Sequence, residues 1–322
     1  MASIAEWRAA SVSGVRDLTP DIRLIEITPA EGFVAPASGA HLKVGVVIGG
    51  RPDTRSYSLV GSCADGIYRI AVKRLKDTRG GSAYMWALEP GARLMIAGPE
   101  NNFTLGVGRP RYLLIAGGIG ITPIYSHALA LKRAGADFRL LYGAHTRADF
   151  ALAAELREAI GDRLELFAGK EGARIDMASE FAGLPASAEA YVCGPIGMLD
   201  AAKHAWAASG RPFDLLRFET FGASGLRPSV PFEIRLPRLG KTVPVPASKS
   251  MLEALEDAGV EMIFDCRKGE CGLCALKIVE VDGIVDHRDV FFSDEEKAAN
   301  AKLCTCVSRI YGNGVTLDTA DR

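Results

Sequence analysis

From the N-terminus to about Pro99, apolar and β-branched residues come in short runs: Ile22 to Thr28, His41 to Ile48, Tyr68 to Lys73 and Arg93 to Ala97. Gly49-Gly50, Asp65-Gly66 and Pro90-Gly91 stand between them. Such runs between turn formers are strands, and together they predict a small antiparallel barrel. The rhythm then changes. Strand-like runs at Arg111 to Ala116, Phe138 to Gly143, Arg163 to Ala168 and Ala190 to Cys193 alternate with helical ones at Pro123 to Arg133, Phe150 to Ile160 and Met198 to Ala208. Alternation of this kind predicts a parallel α/β sheet, which Arg217 to Phe221 closes as a last strand. Gly222 to Pro231 is rich in Gly, Pro and Ser without periodicity and reads as a linker. Beyond it, Phe232 to Leu236 and Thr242 to Val245 predict a hairpin. Capping boxes at Ser250–Glu253 and Ser293–Glu296 open two helices, the first stopping at Gly259. The expected domains are 1–107, 108–222 and 231–322, with a linker at 223–230.

Composition narrows the class. Lys and Arg number 38 and Asp and Glu 39, a formal net charge of -1 that makes no electrostatic case for nucleic acid. The uncharged run Tyr112 to Leu131 is interrupted by Gly117, Gly118, Gly120, Pro123 and His127, so it reads as strand, turn and helix rather than a membrane span. Glu6 and Arg8 fall where a signal peptide needs an apolar core. The expectation is a soluble, cytoplasmic protein without a membrane partner. Seven cysteines, an odd number, cluster toward the C-terminus, which favours a reducing compartment and metal ligation over disulfides.

Cys266, Cys271 and Cys274 stand at the C-x4-C-x2-C spacing of plant-type ferredoxins, where one loop wraps a 2Fe-2S cluster. Gly269 and Gly272 supply the backbone freedom that such a curl needs. Zinc sites pair cysteines in short hairpins instead. Cys304 and Cys306 are both available as a fourth thiolate. In the first third, Arg55-Ser56-Tyr57-Ser58 sets a cation, a ring and hydroxyls in one strand, suited to a phosphate and a flat heterocycle. Val72-Lys73-Arg74, then Arg79-Gly80-Gly81-Ser82 at a helix start, offers an anion site. Together these point to FMN. Gly117-Gly118-Ile119-Gly120 lies at a strand-to-helix turn that lets a pyrophosphate approach. Cys193-Gly194-Pro195 ends a later strand at the carboxyl edge of the same sheet. Arg147 suits a 2′-phosphate and Asp149 repels one, which leaves NADH against NADPH open.

Taken in order, Arg55-Ser-Tyr-Ser, Val72-Lys-Arg with Gly80-Gly-Ser, Gly117-Gly-Ile-Gly-Ile-Thr-Pro, Cys193-Gly-Pro and the cysteine loop resemble the phthalate dioxygenase reductase family over essentially the whole chain. The resemblance implies a flavin β-barrel, an α/β nicotinamide domain and a β-grasp plant-type ferredoxin domain, with NADH as the donor. It puts Arg55, Gly81 and Ser82 on the FMN phosphate, Tyr57 on the isoalloxazine and Ser58 near its reactive nitrogen. Ser56, Val72, Lys73 and Gly80 complete the flavin site. Thr122 and Pro123 lie where the two cofactors meet, Cys193 lies near the nicotinamide, and Phe221 approaches the flavin. Thr-Cys-Val and Cys-Val-Ser-Arg resemble the sequence around the last ferredoxin ligand, which selects Cys306 over Cys304. Such a protein moves electrons from NADH through FMN and the cluster to a terminal oxygenase, usually of the Rieske type acting on an aromatic compound. A P450 is the alternative acceptor, and a non-enzymatic iron-sulfur carrier or sensor the alternative class.

Overall fold

The computed structural model describes residues 6–75, 80–221 and 227–320. They form two compact units, Met1–Glu219 and Thr220–Arg322. The division between them falls at 219/220. The linker expected at 223–230 lies partly outside the described residues.

The first unit opens with β1 (Arg8–Thr19), β2 (Ile22–Pro29), β3 (His41–Ile48), β4 (Arg51–Ser58), β5 (Tyr68–Lys73), α1 (Gly81–Trp86) and β6 (Arg93–Glu100). The strands are antiparallel in the order β4-β3-β6-β1-β2-β5. The chain just past β4 closes the barrel: Leu59 bridges Ile70, and the Val60 N–H donates to the Arg69 carbonyl at 2.8 Å. Alternation explains the interior, since Leu42, Val44 and Val46 of β3 are buried while Val47 is exposed. Pattern alone does not reveal β1, because its core contribution is mainly Ala10 and Val12; pairing with β2 and β6 makes it a strand.

The same unit continues with β7 (Tyr112–Gly117), α2 (Ile121–Arg133), β8 (Phe138–Ala144), α3 (Ala153–Ile160), β9 (Leu164–Ala168), α4 (Met177–Ala182), β10 (Glu189–Cys193), α5 (Ile196–Ala208) and β11 (Leu216–Glu219). All strand pairs are parallel, in the order β11-β10-β7-β8-β9. Every residue of β7 and β10 is buried, as expected of central parallel strands covered on both faces. The helix expected from Phe150 starts later: Thr146 and Asp149 close a capping box on a short turn, and Leu152 takes a φ of 62° before α3 can begin. The order of strands reverses between β7 and β10, and that is where open α/β sheets hold ligands.

The second unit holds β12 (Phe232–Leu236), β13 (Lys241–Val245), α6 (Met251–Asp257), β14 (Ala275–Asp286), α7 (Asp294–Ala299), β15 (Lys302–Cys304) and β16 (Arg309–Asp318). The strand order is β13-β12-β16-β14-β15, with β12 and β16 parallel. This is the β-grasp arrangement. Both capping boxes are formed, with Glu253 N–H donating to Ser250 Oγ and Glu296 N–H to Ser293 Oγ, each at 3.2 Å.

Candidate functional site

On β4, Tyr57 pairs with Leu42 and Arg55 with Val44, so Tyr57 and Arg55 share the inward face. Ser56 is exposed and Ser58 buried on the other. Tyr57 packs on the barrel core, and burial pushes its phenol above the ordinary value, with Arg55 pulling it down. Arg55 bonds Asp53 at 2.7 Å and the Thr54 carbonyl at 2.8 Å. The start of α1 lies against it, since a Cβ on Gly81 would stand 2.7 Å from Arg55 Nε. Gly80 has a φ of 97°, and a Cβ there would meet Ile48 at 2.6 Å. Ser82 Oγ accepts from the Leu75 N–H at 3.4 Å. The structure therefore sets Gly81 directly against Arg55, where a side chain would collide with the guanidinium arm, with Gly80 packed on Ile48 beside it. Arg79 lies outside the described residues. Val72 is buried and its carbonyl accepts from Trp86 Nε1 at 3.0 Å, while Lys73 Nζ reaches Asp21 at 3.3 Å.

At the carboxyl ends of β7 and β10 two loops interlock. A Cβ on Gly120 would stand 2.2 Å from the Cys193 carbonyl oxygen, one on Gly117 2.7 Å from Pro195 Cδ, and one on Gly194 2.8 Å from Met198 Sδ. Those three glycines answer to packing first. Gly118 differs, with a φ of 52° and nothing within 4 Å, so the open edge of the loop is there. Tyr142, a residue that the sequence motifs did not single out, donates its hydroxyl to the Gly118 carbonyl at 3.1 Å. Pro123 is buried in the first turn of α2. Thr122 is buried with its hydroxyl on the Ile119 carbonyl at 3.0 Å, and Cys193 is fully buried. The two residues weighed for the 2′-position are both engaged: Arg147 bonds Glu171 at 2.8 Å, and the Asp149 carboxylate accepts from the Thr146 N–H and hydroxyl, each at 2.8 Å. Those bonds hold the Asp149 pKa below the ordinary value.

In the second unit, the Lys268 and Glu270 N–H groups both point at Cys266 Sγ, at 3.4 Å. Gly269 and Gly272 have φ values of 78° and 72°; a Cβ on the first would strike Val307 at 2.6 Å and on the second the Phe291 ring at 2.3 Å. None of the seven cysteines is in a disulfide. The Cys304 and Cys306 thiols both donate to Cys274, which holds Cys274 down at about 3 against its burial, and the same sharing pushes the two donors up. Among the described residues no three His, Cys, Asp or Glu groups converge on a point fit for one ion; a two-iron cluster divides its thiolates between its irons. Arg267, next to the first ligand candidate, bonds Glu256 at 2.7 Å and stacks on Phe264 at 4.1 Å. Phe221 is half-buried in this unit, and the neighbouring Thr220 N–H donates to Glu270 at 3.2 Å.

Comparison with known proteins accords with this geometry. Residues 235–311 match the 2Fe-2S iron-sulfur cluster binding domain and residues 114–204 the oxidoreductase NAD-binding domain. The heme-dependent oxidative N-demethylase beta subunit of Ectopseudomonas mendocina is 37% identical over 95% of this chain and 97% of its own. The carnitine monooxygenase reductase subunit of Escherichia coli is 33% identical over 95% and 97%. The structure of phthalate dioxygenase reductase superposes with a TM-score of 0.74 at 31% identity, covering 97% of this chain and 98% of its own. The chain belongs to the phthalate dioxygenase reductase family. An intact type IV self-sufficient cytochrome P450 monooxygenase also matches, at 34% identity and a TM-score of 0.66, over 97% of this chain; the chain spans 41% of that protein's length. As a phthalate dioxygenase reductase family member the chain is an electron-transfer oxidoreductase with an NAD-binding and a 2Fe-2S domain. Among the described residues no helix is long and apolar enough to cross a membrane.

Proposed function

We propose that this chain is the NADH-dependent reductase component of an oxygenase system, holding FMN in residues 1–107, NADH in residues 108–222 and a 2Fe-2S cluster in residues 231–322. The observation that carries the reading is the cysteine loop, whose glycines admit no side chain and whose N–H groups turn toward Cys266. FMN, when bound, takes electrons in pairs from NADH and releases them singly, and the cluster carries single electrons.

The chain's own residues bind, orient and dry the path. Arg55 with the backbone of Gly80, Gly81 and Ser82 would hold the FMN phosphate. Tyr57 supports the ring, and Ser56, Ser58, Val72 and Lys73 line it. The Gly117–Gly120 turn, with Thr122, Pro123, Cys193, Gly194 and Pro195, seats the nicotinamide nucleotide; the burial of Thr122 and Cys193 keeps water from the floor of that site. Cys266, Cys271, Cys274 and Cys306 hold the cluster, the sequence Thr-Cys-Val-Ser-Arg around Cys306 favouring it over Cys304. The acceptor is a terminal oxygenase of the Rieske type, and cysteines held in no disulfide fit a cytoplasmic location. A haem-containing acceptor is the second reading, favoured by the likeness to the self-sufficient P450.

An anaerobic NADH titration of the purified protein, with flavin identity and iron content determined, tests the proposal. Bleaching of an FMN band and a cluster band supports it. A loaded cluster with no bound or bleached flavin would leave the carrier or sensor reading.

A further inference from the structure

Asp289 is fully buried beside the cysteine loop and belongs to none of the motifs already described. Its backbone abuts Gly269, where a Cβ would come within 2.9 Å of Asp289 Cα, and the next residue, Val290, donates its N–H to the Gly269 carbonyl at 3.0 Å. Its carboxylate faces the other cysteine segment. Oδ1 accepts from Ser308 Oγ at 3.3 Å and Oδ2 from the Phe292 N–H at 3.0 Å. His287 Nδ1 stands 3.6 Å from Oδ1, and Lys297 Nζ bonds the Asp289 carbonyl at 2.6 Å. Burial alone would raise this carboxyl's pKa; His287, the Phe292 N–H and Lys297 hold it below the ordinary value, so it is an anion at neutral pH.

We infer that Asp289 is a positioning residue of the cluster: it ties the Gly269 turn to the Ser308 segment and places a fixed negative charge that lowers the cluster's reduction potential. The inference rests on the reading of Cys266, Cys271, Cys274 and Cys306 as ligands. Reduction adds an electron to a group already negative through its thiolates. A buried anion nearby opposes that step, and the low dielectric of the interior makes the opposition stronger than at a surface. A lower potential makes the cluster a better donor to its acceptor. Ser308 moderates the effect by sharing part of the carboxylate's charge through its hydroxyl.

The consequence is a pair of opposite shifts. Asp289→Asn keeps the shape and the acceptor for Phe292 but removes the charge, so the potential moves to a more positive value. Ser308→Ala keeps the charge and removes one donor to it, so the potential moves to a more negative value. Both are measured on the full-length holoprotein by potentiometric titration of the reduced cluster's EPR signal, with iron content determined alongside. Opposite shifts at wild-type iron content support the role. Unchanged potentials, or shifts of the same sign in both variants, overturn it. If Asp289→Asn fails to load iron, Ser308→Ala decides: a negative shift supports and an unchanged potential overturns. Wild-type protein without cluster iron would instead overturn the ligand reading.

Discussion

Gly120→Ala tests the interlock of the two nucleotide loops. The new Cβ would stand 2.2 Å from the Cys193 carbonyl oxygen, 2.5 Å from its carbon and 2.9 Å from the Gly194 nitrogen. All three are backbone atoms at the end of a fully buried strand, so no side chain can swing aside. A comfortable carbon-to-oxygen contact is about 3.3–3.6 Å, so the β7 and β10 loops must part by about an ångström. Overpacking of that kind costs about 1–3 kcal/mol, or about 2–4 °C of Tm per kcal/mol for a unit of this size. The catalytic loss is larger in proportion, because a misplacement of about 1 Å can cost about 100-fold in rate. The assay is NADH-dependent ferricyanide reduction together with thermal unfolding. Gly197→Ala is the control, since nothing lies within 4 Å of a Cβ there and it sits in α5. The control should be neutral or more stable by up to about 1 kcal/mol. Wild-type KM, rate and Tm in Gly120→Ala would refute the interlock.

Two further outcomes follow from the buried groups. Cys306→Ser should abolish cluster loading while Cys304→Ser leaves it nearly intact, read by iron content and visible absorption; the reverse pattern would make Cys304 the ligand. His127 is fully buried with neither ring nitrogen hydrogen-bonded, and burial lowers its pKa from 6.5 to about 3. The native state therefore binds fewer protons than the unfolded chain between those values. Its contribution is fully present above pH 6.5 and drains away as the pH falls toward 3, by on the order of 4 kcal/mol in all. Denaturant unfolding as a function of pH should show that acid limb flattened in His127→Leu, and equal slopes would show that the histidine does not titrate on unfolding.

The elements legible in the sequence were those whose own residues carry the pattern. His41–Ile48 and Tyr68–Lys73 have the expected bounds because inward and outward positions largely alternate in the first and the second is a buried apolar run, Ile70 to Val72, between Arg69 and Lys73. Both capping boxes formed because Ser250 with Glu253, and Ser293 with Glu296, are complete in themselves. β14 and β16 were not read, since β14 leaves Val279 and Ile284 exposed among charged residues and is a strand only through its long antiparallel pairing with β16. The site shows the same division. Spacing exposed the three-cysteine loop, but the partners of its glycines, Val307, Asp289 and Phe291, come from distant segments. The glycines of the nucleotide loop were legible as a motif, but not the close packing that Gly117, Gly120 and Gly194 also answer to, because its partners Cys193, Pro195 and Met198 lie on a distant segment.

One helix relates the flavin strand to the nucleotide loop. α2 begins at the end of the Gly117–Gly120 turn, and one and a half turns later Ser126 donates its hydroxyl to the Leu59 carbonyl at 2.8 Å and accepts from the Gly61 N–H at 3.0 Å. Leu59 follows Ser58 directly, so this hydroxyl is one tie between the residues expected beside the reacting ring and those expected beside the nicotinamide. The first bond is buried and the second partly so, and losing both costs about 1–3 kcal/mol. Ser126→Ala should leave each cofactor's own contacts intact, so flavin content and NADH affinity stay near wild type. The transfer step depends on the angle between the two sites, and it should slow by about 10-fold or more. Stopped-flow reduction by NADH separates the two effects. A variant that reduces at the wild-type rate, with the barrel and the sheet equally stable, would show that other contacts of the first unit hold the two sites in line.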